Sequence, residues 1–163
     1  MGDELRIGLG HDTHRIESGG PLRLGGIDIE FDGHLVGHSD ADVLLHAITD
    51  ALLGAAGLGD IGELYPDTDP QNQGRDSADM LGRANQIVSR ERWTIVNLDC
   101  VVLAERPKIL PYRNSIQQRI GKILEIPPER IGLKGKTGEQ SGDVGQGRII
   151  QAICNCLLRR PAA

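Results

Sequence analysis

The chain has 163 residues, 39% hydrophobic and only 2% aromatic, with a formal net charge of −5. That length suits one compact domain with an aliphatic core, and the acidic balance and scarcity of stacking platforms argue against nucleic acid as a partner. The three cysteines form no spaced disulfide framework, no stretch approaches the roughly 18 apolar residues of a membrane span, and the charged start lacks a signal-peptide core, so a single domain over 1–163, cytoplasmic and without a membrane partner, is expected.

Residues 5–9 read as a strand running into the polar string Gly10-His11-Asp12-Thr13-His14-Arg15, which Gly19-Gly20-Pro21 breaks. Leu22-Arg23-Leu24 and Ile27-Asp28-Ile29 suit a hairpin turning at Gly25-Gly26. In His38-Ser39-Asp40-Ala41-Asp42, Ser39 with Asp42 three residues on forms a loose capping box, opening a helix over 43–57 rich in Leu and Ala. The Gly-, Pro- and Asp-rich stretch 57–74 is long for a connection and is expected to line a site. A helix over 77–90, a strand over 93–104 and a helix over 112–124 follow, the last bracketed by Pro107, Pro111 and the Pro127-Pro128 break. A strand over 131–137 leads into a second Gly-rich loop, 138–147. The apolar run 149–158 has no decisive period, and a strand is favoured. This order predicts an α+β fold: a mixed four-stranded sheet with helices on one face. Val, Ile and Cys at alternate positions of the bare face suit a subunit contact.

Four strings carry chemistry. Asp12 and His14, at i and i+2 on a strand, share a face, and His46 from the first turns of the helix can complete a metal site with one open position, as in catalytic zinc centres. Spacing alone is equally compatible with ordinary polar residues at a strand end and on a helix. His38-Ser39 at the helix mouth suits phosphate, although Ser39 also suffices as a simple N-cap. Asp42, four residues before His46, could orient that imidazole or favour the helix dipole, and the latter is preferred. Lys134-Gly135-Lys136-Thr137-Gly138-Glu139 offers cations, a hydroxyl and a hard oxygen ligand suited to a diphosphate with Mg²⁺, without the spacing of a Walker A loop. Asp60-Ile61-Gly62 and Tyr65-Pro66-Asp67-Thr68-Asp69 suit polyol hydroxyls or a plain acidic surface turn. Cys154 and Cys156 read as small core residues.

Together these strings, with Ala104-Glu105-Arg106-Pro107-Lys108 and His46-Ala47-Ile48-Thr49-Asp50-Ala51-Leu52-Leu53-Gly54-Ala55, resemble the 2-C-methyl-D-erythritol 2,4-cyclodiphosphate synthases of non-mevalonate isoprenoid synthesis, in the family's order and through almost the whole chain. The resemblance implies a homotrimer assembled through the sheets, with active sites between subunits and a nucleotide diphosphate, 4-diphosphocytidyl-2-C-methyl-D-erythritol 2-phosphate, as substrate. It implies Zn²⁺ on Asp12, His14 and His46, and a second divalent ion, Mg²⁺ or Mn²⁺, on Glu139 and the substrate phosphates. His38 and Thr137 are the implied catalytic residues. Substrate contacts are implied at Asp12, His14, His38, Ser39, Asp60, Ile61, Gly62, Tyr65, Asp67, Asp69, Lys136, Thr137 and Glu139, and around the cytidine at Ala104, Pro107, Lys108 and Leu110 of the adjacent subunit.

Two departures stand out. Lys136-Thr137-Gly138-Glu139 replaces a Thr-Thr-Thr-Glu string, and Asp143 and Gln146 stand where some members carry Phe and Arg around a central cavity, so that an acidic residue there would repel a prenyl diphosphate. Two other readings compete: a zinc phosphohydrolase using metal-bound water, and an interaction protein in which Asp12, His14 and His46 hold a structural ion.

Overall fold

The computed structural model describes residues 2–162, so the first and last residues of the expected 1–163 domain lie outside the described residues. Strands β1 (Glu4–Ser18), β2 (Leu22–Leu24), β3 (Ile27–Ile29) and β4 (Gly33–Val36) precede helices α1 (Val43–Ala56), α2 (Ile61–Leu64) and α3 (Ser77–Arg90). Then come β5 (Thr94–Leu103), α4 (Arg113–Leu124), β6 (Ile131–Lys136), α5 (Gly142–Gly145) and β7 (Ile149–Arg160). The main sheet has five strands in the order β4-β1-β7-β5-β6, not the four expected, and β2 and β3 form the expected hairpin beside it. Only β5 and β6 run parallel; β1 and β7 pair antiparallel along twelve registers, from Glu4↔Arg160 to Arg15↔Ile149.

Two strands correct the sequence reading. The first does not stop at Leu9 but runs 15 residues through the polar string, because β7 supplies a ladder partner for each residue from Asp12 to Arg15. The missed strand, β4, is four residues long and pairs only with the end of β1, from Arg15↔Val36 to Ser18↔Gly33. The ambiguous run 149–158 is strand, extended to Arg160. Both Gly-rich loops contain a short helix, α2 and α5.

All of α1 is buried except Asp50 and Gly54, so the helix is wrapped by the sheet on one side and by α3 on the other. Its N-cap is Asp42, not Ser39. The Asp42 carboxylate accepts from the N–H of Leu45 at 3.1 Å and from those of Gly25 and Gly26 in the hairpin turn at 2.9 and 2.7 Å. Buried donors of this kind satisfy a carboxylate that water cannot reach, and they seal the helix mouth beneath the hairpin. Burial nonetheless pushes the Asp42 carboxyl above its usual range, against the three N–H groups that lower it. Of the N–H groups at this helix mouth, Asp42 engages that of Leu45. At the other end Gly57 closes the helix with φ of 73°, a left-handed cap that glycine adopts without strain.

The approach of α1 to β1 depends on two glycines. A Cβ on Gly8 would overlap the carbonyl oxygen of Ala51, and one on Gly10 that of Ala47. With no side chain between them, helix backbone and strand backbone touch, and His46 comes down over Asp12 and His14. Gly10→Ala should force the helix outward, costing about 1–3 kcal/mol of unfolding free energy in a denaturant titration.

One face of the sheet packs on α1 and α4 through Cys100, Cys154 and Cys156 and the alternate Ile, Leu and Val residues. The cysteines thus point inward, and the opposite face carries the other set. There Leu5, Ile7 and Leu9 of β1 are 59%, 78% and 66% exposed, an apolar stripe without cover among the described residues.

Candidate active site

Asp12 and His14 project from β1 toward α1, and His46 meets them from the first turn of that helix. Asp12 Oδ2 lies 2.9 Å from His14 Nε2 and 2.9 Å from His46 Nδ1, and the two ring nitrogens are 3.2 Å apart. His14 Nδ1 donates to the carbonyl of Val36 at 2.8 Å; a carbonyl only accepts, so in neutral His14 the lone pair sits on Nε2 and faces Asp12. A carboxylate and two imidazole nitrogens converging on one point suit a cation. A tetrahedral divalent ion with bonds of about 2.0–2.1 Å spreads its ligands to roughly 3.3 Å, close to the separations found here. The set Asp12, His14 and His46 therefore fits a divalent ion.

Burial works against the charge on Asp12, but hydrogen bonds and charge from His14 and His46 outweigh it and hold the carboxyl well below the usual carboxylate range. Burial likewise opposes a charged His14, while the hydrogen bond and charge of Asp12 and the Val36 carbonyl raise its pKa overall.

The centre opens into a cleft of about 370 Å³. His14, His38, Ser39, His46, Ile61, Gly62, Tyr65, Pro66 and Asp67 line it, together with Asn72 and Met80, which the sequence alone does not single out. The last two come from the buried side of the 57–74 loop and from α3, where polarity gives no sign of a site. His38 is exposed, with Nε2 3.5 Å from the Asp69 carbonyl, and Ser39 Oγ lies 3.1 Å from His46 Nε2. Asp60 and Asp69 are not among the lining residues. Their carboxylates cap short helical turns, Asp60 accepting from Glu63 N–H at 3.0 Å and Asp69 from Gln71 N–H at 2.9 Å. Asp50, on the partly open side of α1, accepts from Ile61 N–H at 2.8 Å and so ties the Asp60-Ile61-Gly62 segment to the helix that carries His46. A larger surface groove of about 520 Å³ runs along α4 between Ser115 and Pro128, without imidazole or carboxylate.

The remaining predicted residues gather elsewhere. The N–H of Ala104 donates to the Lys136 carbonyl at 2.8 Å, and that of Gly138 to Glu105 Oε2 at 3.1 Å, so residues 104–110 and 136–139 form one cluster. In it Lys108, Leu110, Lys136, Thr137 and Glu139 are exposed, Pro107 is half-buried and Ala104 is buried. Thr137 Oγ1 accepts from Glu139 N–H at 3.4 Å, and no ion pair engages the Glu139 carboxylate among the described residues. Thr13, Gln151, Leu103 and Lys136 are successive ladder partners in one row across β1, β7, β5 and β6. Three strand spacings separate the ends of that row, roughly 14 Å. The two clusters thus sit at the same level of the sheet but on opposite sides. Farther along, Asp143 is not a bare charge: Arg148 Nε donates to its carboxylate at 2.7 Å, which offsets the repulsion expected from its sequence position.

Two imidazoles and a carboxylate beside a cleft offer a divalent ion three ligands, the number usual in catalytic centres, whereas structural ions are usually closed in by four. The chain belongs to the YgbB family, whose model matches residues 5–159. It is 51% identical over 156 residues to a 2-C-methyl-D-erythritol 2,4-cyclodiphosphate synthase of Synechococcus elongatus, covering 96% of this chain and 98% of that protein. A protein of the same name from Treponema denticola is 47% identical, covering 94% and 96%. Among solved structures, a Plasmodium falciparum IspF in complex with CDP superposes with a TM-score of 0.85 at 35% identity, covering 97% of each chain. The bifunctional IspDF of Campylobacter jejuni gives a TM-score of 0.94 at 37% identity; the match covers 98% of this chain and spans 43% of that longer one.

Proposed function

We propose that the chain, a single domain over 1–163, converts 4-diphosphocytidyl-2-C-methyl-D-erythritol 2-phosphate to 2-C-methyl-D-erythritol 2,4-cyclodiphosphate and CMP, as a homotrimer in the cytoplasm. An oxygen of the 2-phosphate attacks the β-phosphorus, the bond from that phosphorus to the bridging oxygen breaks, and CMP leaves with the α-phosphate. No protein nucleophile takes part, and the chain acts by positioning and by neutralising charge.

The observation that carries this reading is the split site. One chain holds the Asp12–His14–His46 centre and its cleft beside β1 and α1, and holds the Lys136–Thr137–Glu139 cluster beside β5 and β6, roughly 14 Å across the sheet by three strand spacings. A substrate with a diphosphate between a nucleoside and a polyol needs both at once, and a second copy turned about a three-fold axis can offer its β6 side to the β1 side of the first. The uncovered Leu5, Ile7 and Leu9 supply the apolar face for that contact. In the completed site, Asp60, Ile61 and Gly62 hold the erythritol and Tyr65, Asp67 and Asp69 shape the loop around it. Ala104, Pro107, Lys108 and Leu110 of the neighbour hold the cytidine. Ser39, His38, Lys136 and Thr137 face the phosphates, with His38 and Thr137 donating hydrogen bonds as charge builds. When bound, Zn²⁺ on Asp12, His14 and His46 polarises the β-phosphate, and Mg²⁺ or Mn²⁺ on Glu139 neutralises the diphosphate. The thiols of Cys100 and Cys154, opposed in the ladder at 3.2 Å and unbridged, suit a reducing compartment.

Phosphorus NMR of the purified protein with this substrate and divalent metal should show CMP and a cyclic diphosphate. CMP with an open-chain diphosphate would replace this reading with the phosphohydrolase. Asp50→Ala, which frees the Ile61 N–H, should raise KM about five- to tenfold with kcat little changed in steady-state assays, the loss of one hydrogen bond's worth of substrate positioning.

A further inference from the structure

The far side of the His46 ring is as tightly specified as the side that faces Asp12. His46 Nε2 lies 2.8 Å from Ser77 Oγ, the first residue of α3, which is fully buried. Ser77 is bound twice to Asp40: its N–H donates to Oδ2 at 3.1 Å and its hydroxyl donates to Oδ1. Asp40 is anchored in turn, accepting from the N–H of Asp42 at 3.2 Å, with Arg23 Nε 3.8 Å from Oδ2.

The direction of each bond follows from the chemistry of its acceptor. An ionised carboxylate only accepts, so the single Ser77 hydroxyl proton is committed to Asp40 and Ser77 Oγ is left to accept. The donor available to it is His46 Nε2–H, which Ser39 Oγ, itself accepting from Ala41 N–H, also approaches at the longer distance of 3.1 Å. Neutral His46 is then the Nε2–H tautomer, with its lone pair on Nδ1, the atom that stands 2.9 Å from Asp12 Oδ2 and 3.2 Å from His14 Nε2. The Val36 carbonyl does the same for His14 with a backbone group; for His46 the work falls to two side chains, 37 residues apart in sequence, that meet only when α3 docks on α1.

We infer that Ser77 and Asp40 are positioning residues of the metal centre: through the Ser77 hydroxyl, Asp40 fixes the tautomer and orientation of His46 so that Nδ1 is presented to the ion. This inference rests on the reading of Asp12, His14 and His46 as metal ligands. It also gives Asp40, beyond any role as a substrate or metal contact, a part in metal affinity that is exerted at a distance.

The test measures Zn²⁺ affinity by competition with a chromogenic chelator, on the full chain, for wild type, Ser77→Ala, Asp40→Asn and His46→Ala, with circular dichroism to check the fold. Ser77→Ala and Asp40→Asn should each bind Zn²⁺ about 10–100-fold more weakly, the usual cost of removing an outer hydrogen bond from a ligating histidine. Ser77→Thr, which keeps the hydroxyl, should restore most of the affinity. Nitrogen-15 shifts of the His46 ring in the metal-free protein, recorded above neutral pH, should report Nε2–H in wild type and a mixture of tautomers in Ser77→Ala. If His46→Ala loses Zn²⁺ while Ser77→Ala and Asp40→Asn bind like wild type, the inference falls and the metal site stands. If His46→Ala binds Zn²⁺ like wild type, the metal site itself falls. An Nδ1–H tautomer in the wild-type protein overturns the inference even if no Ser77 variant folds.

Discussion

Asp12→Asn should leave a folded chain that no longer turns over. The substitution keeps the shape of the side chain and removes the charge that draws two ring nitrogens to one point, at 2.9 Å each. Metal charge on a phosphate is worth several kcal/mol at the transition state, so kcat/KM in a CMP-release assay should fall by about two to four orders of magnitude. The same variant separates a catalytic ion from a structural one. In wild type, Zn²⁺ at a hundred times its dissociation constant should stabilise the fold by about 2.7 kcal/mol, visible as a rise in Tm, and Asp12→Asn should show no such rise. Its metal-free Tm should fall only modestly below that of the metal-free wild type, by the loss of the Asp12 bonds to His14 and His46, because the core packs around α1 without reference to the ion. A variant that fails to fold would support the structural-ion reading instead.

The Asp12, His14 and His46 group that could hold a metal was legible only in part, since spacing alone suited ordinary polar residues equally well. Asp12 and His14 share a strand face by the two-residue period, and His46 falls on the first turn of a helix whose composition is unmistakable. The same polarity blurred where the strand ends, because the inward positions of β1, apolar elsewhere in the sheet, here hold Asp12 and His14. What makes the segment a strand is β7, more than a hundred residues later, pairing with it residue by residue. The helix cap was misplaced for a related reason: Ser39 and Asp42 are both good caps, and the choice is settled by Gly25 and Gly26, whose N–H groups arrive from the hairpin and claim Asp42. Ser77 and Asp40 leave no trace in any local pattern. Nor does spacing show that residues 12–67 and 104–139 gather on opposite sides of one sheet, since strand order is a property of the whole topology.

That separation makes assembly the most consequential test. Ile7 is 78% exposed at the centre of the uncovered stripe, so Ile7→Asp should change the stability of the isolated chain by no more than about 0.5 kcal/mol. In a trimer joined through this face each copy would have to bury an unpaired carboxylate, at several kcal/mol apiece. Light scattering after size exclusion should therefore report a trimer for wild type and a monomer for Ile7→Asp, with unchanged circular dichroism and CMP release lowered by about a thousandfold or more, since in a lone chain the two halves do not face each other. Mixing experiments separate a site that merely needs rigidity from one that is shared. Asp12→Asn spoils one half-site and Thr137→Ala the other, and each alone should be inactive. Dissociated together in equal amounts and reassembled, they should recover about a quarter of wild-type activity, the chance that an intact half from one variant faces an intact half from the other. A site contained in one chain predicts no recovery, because every chain in the mixture carries a defect.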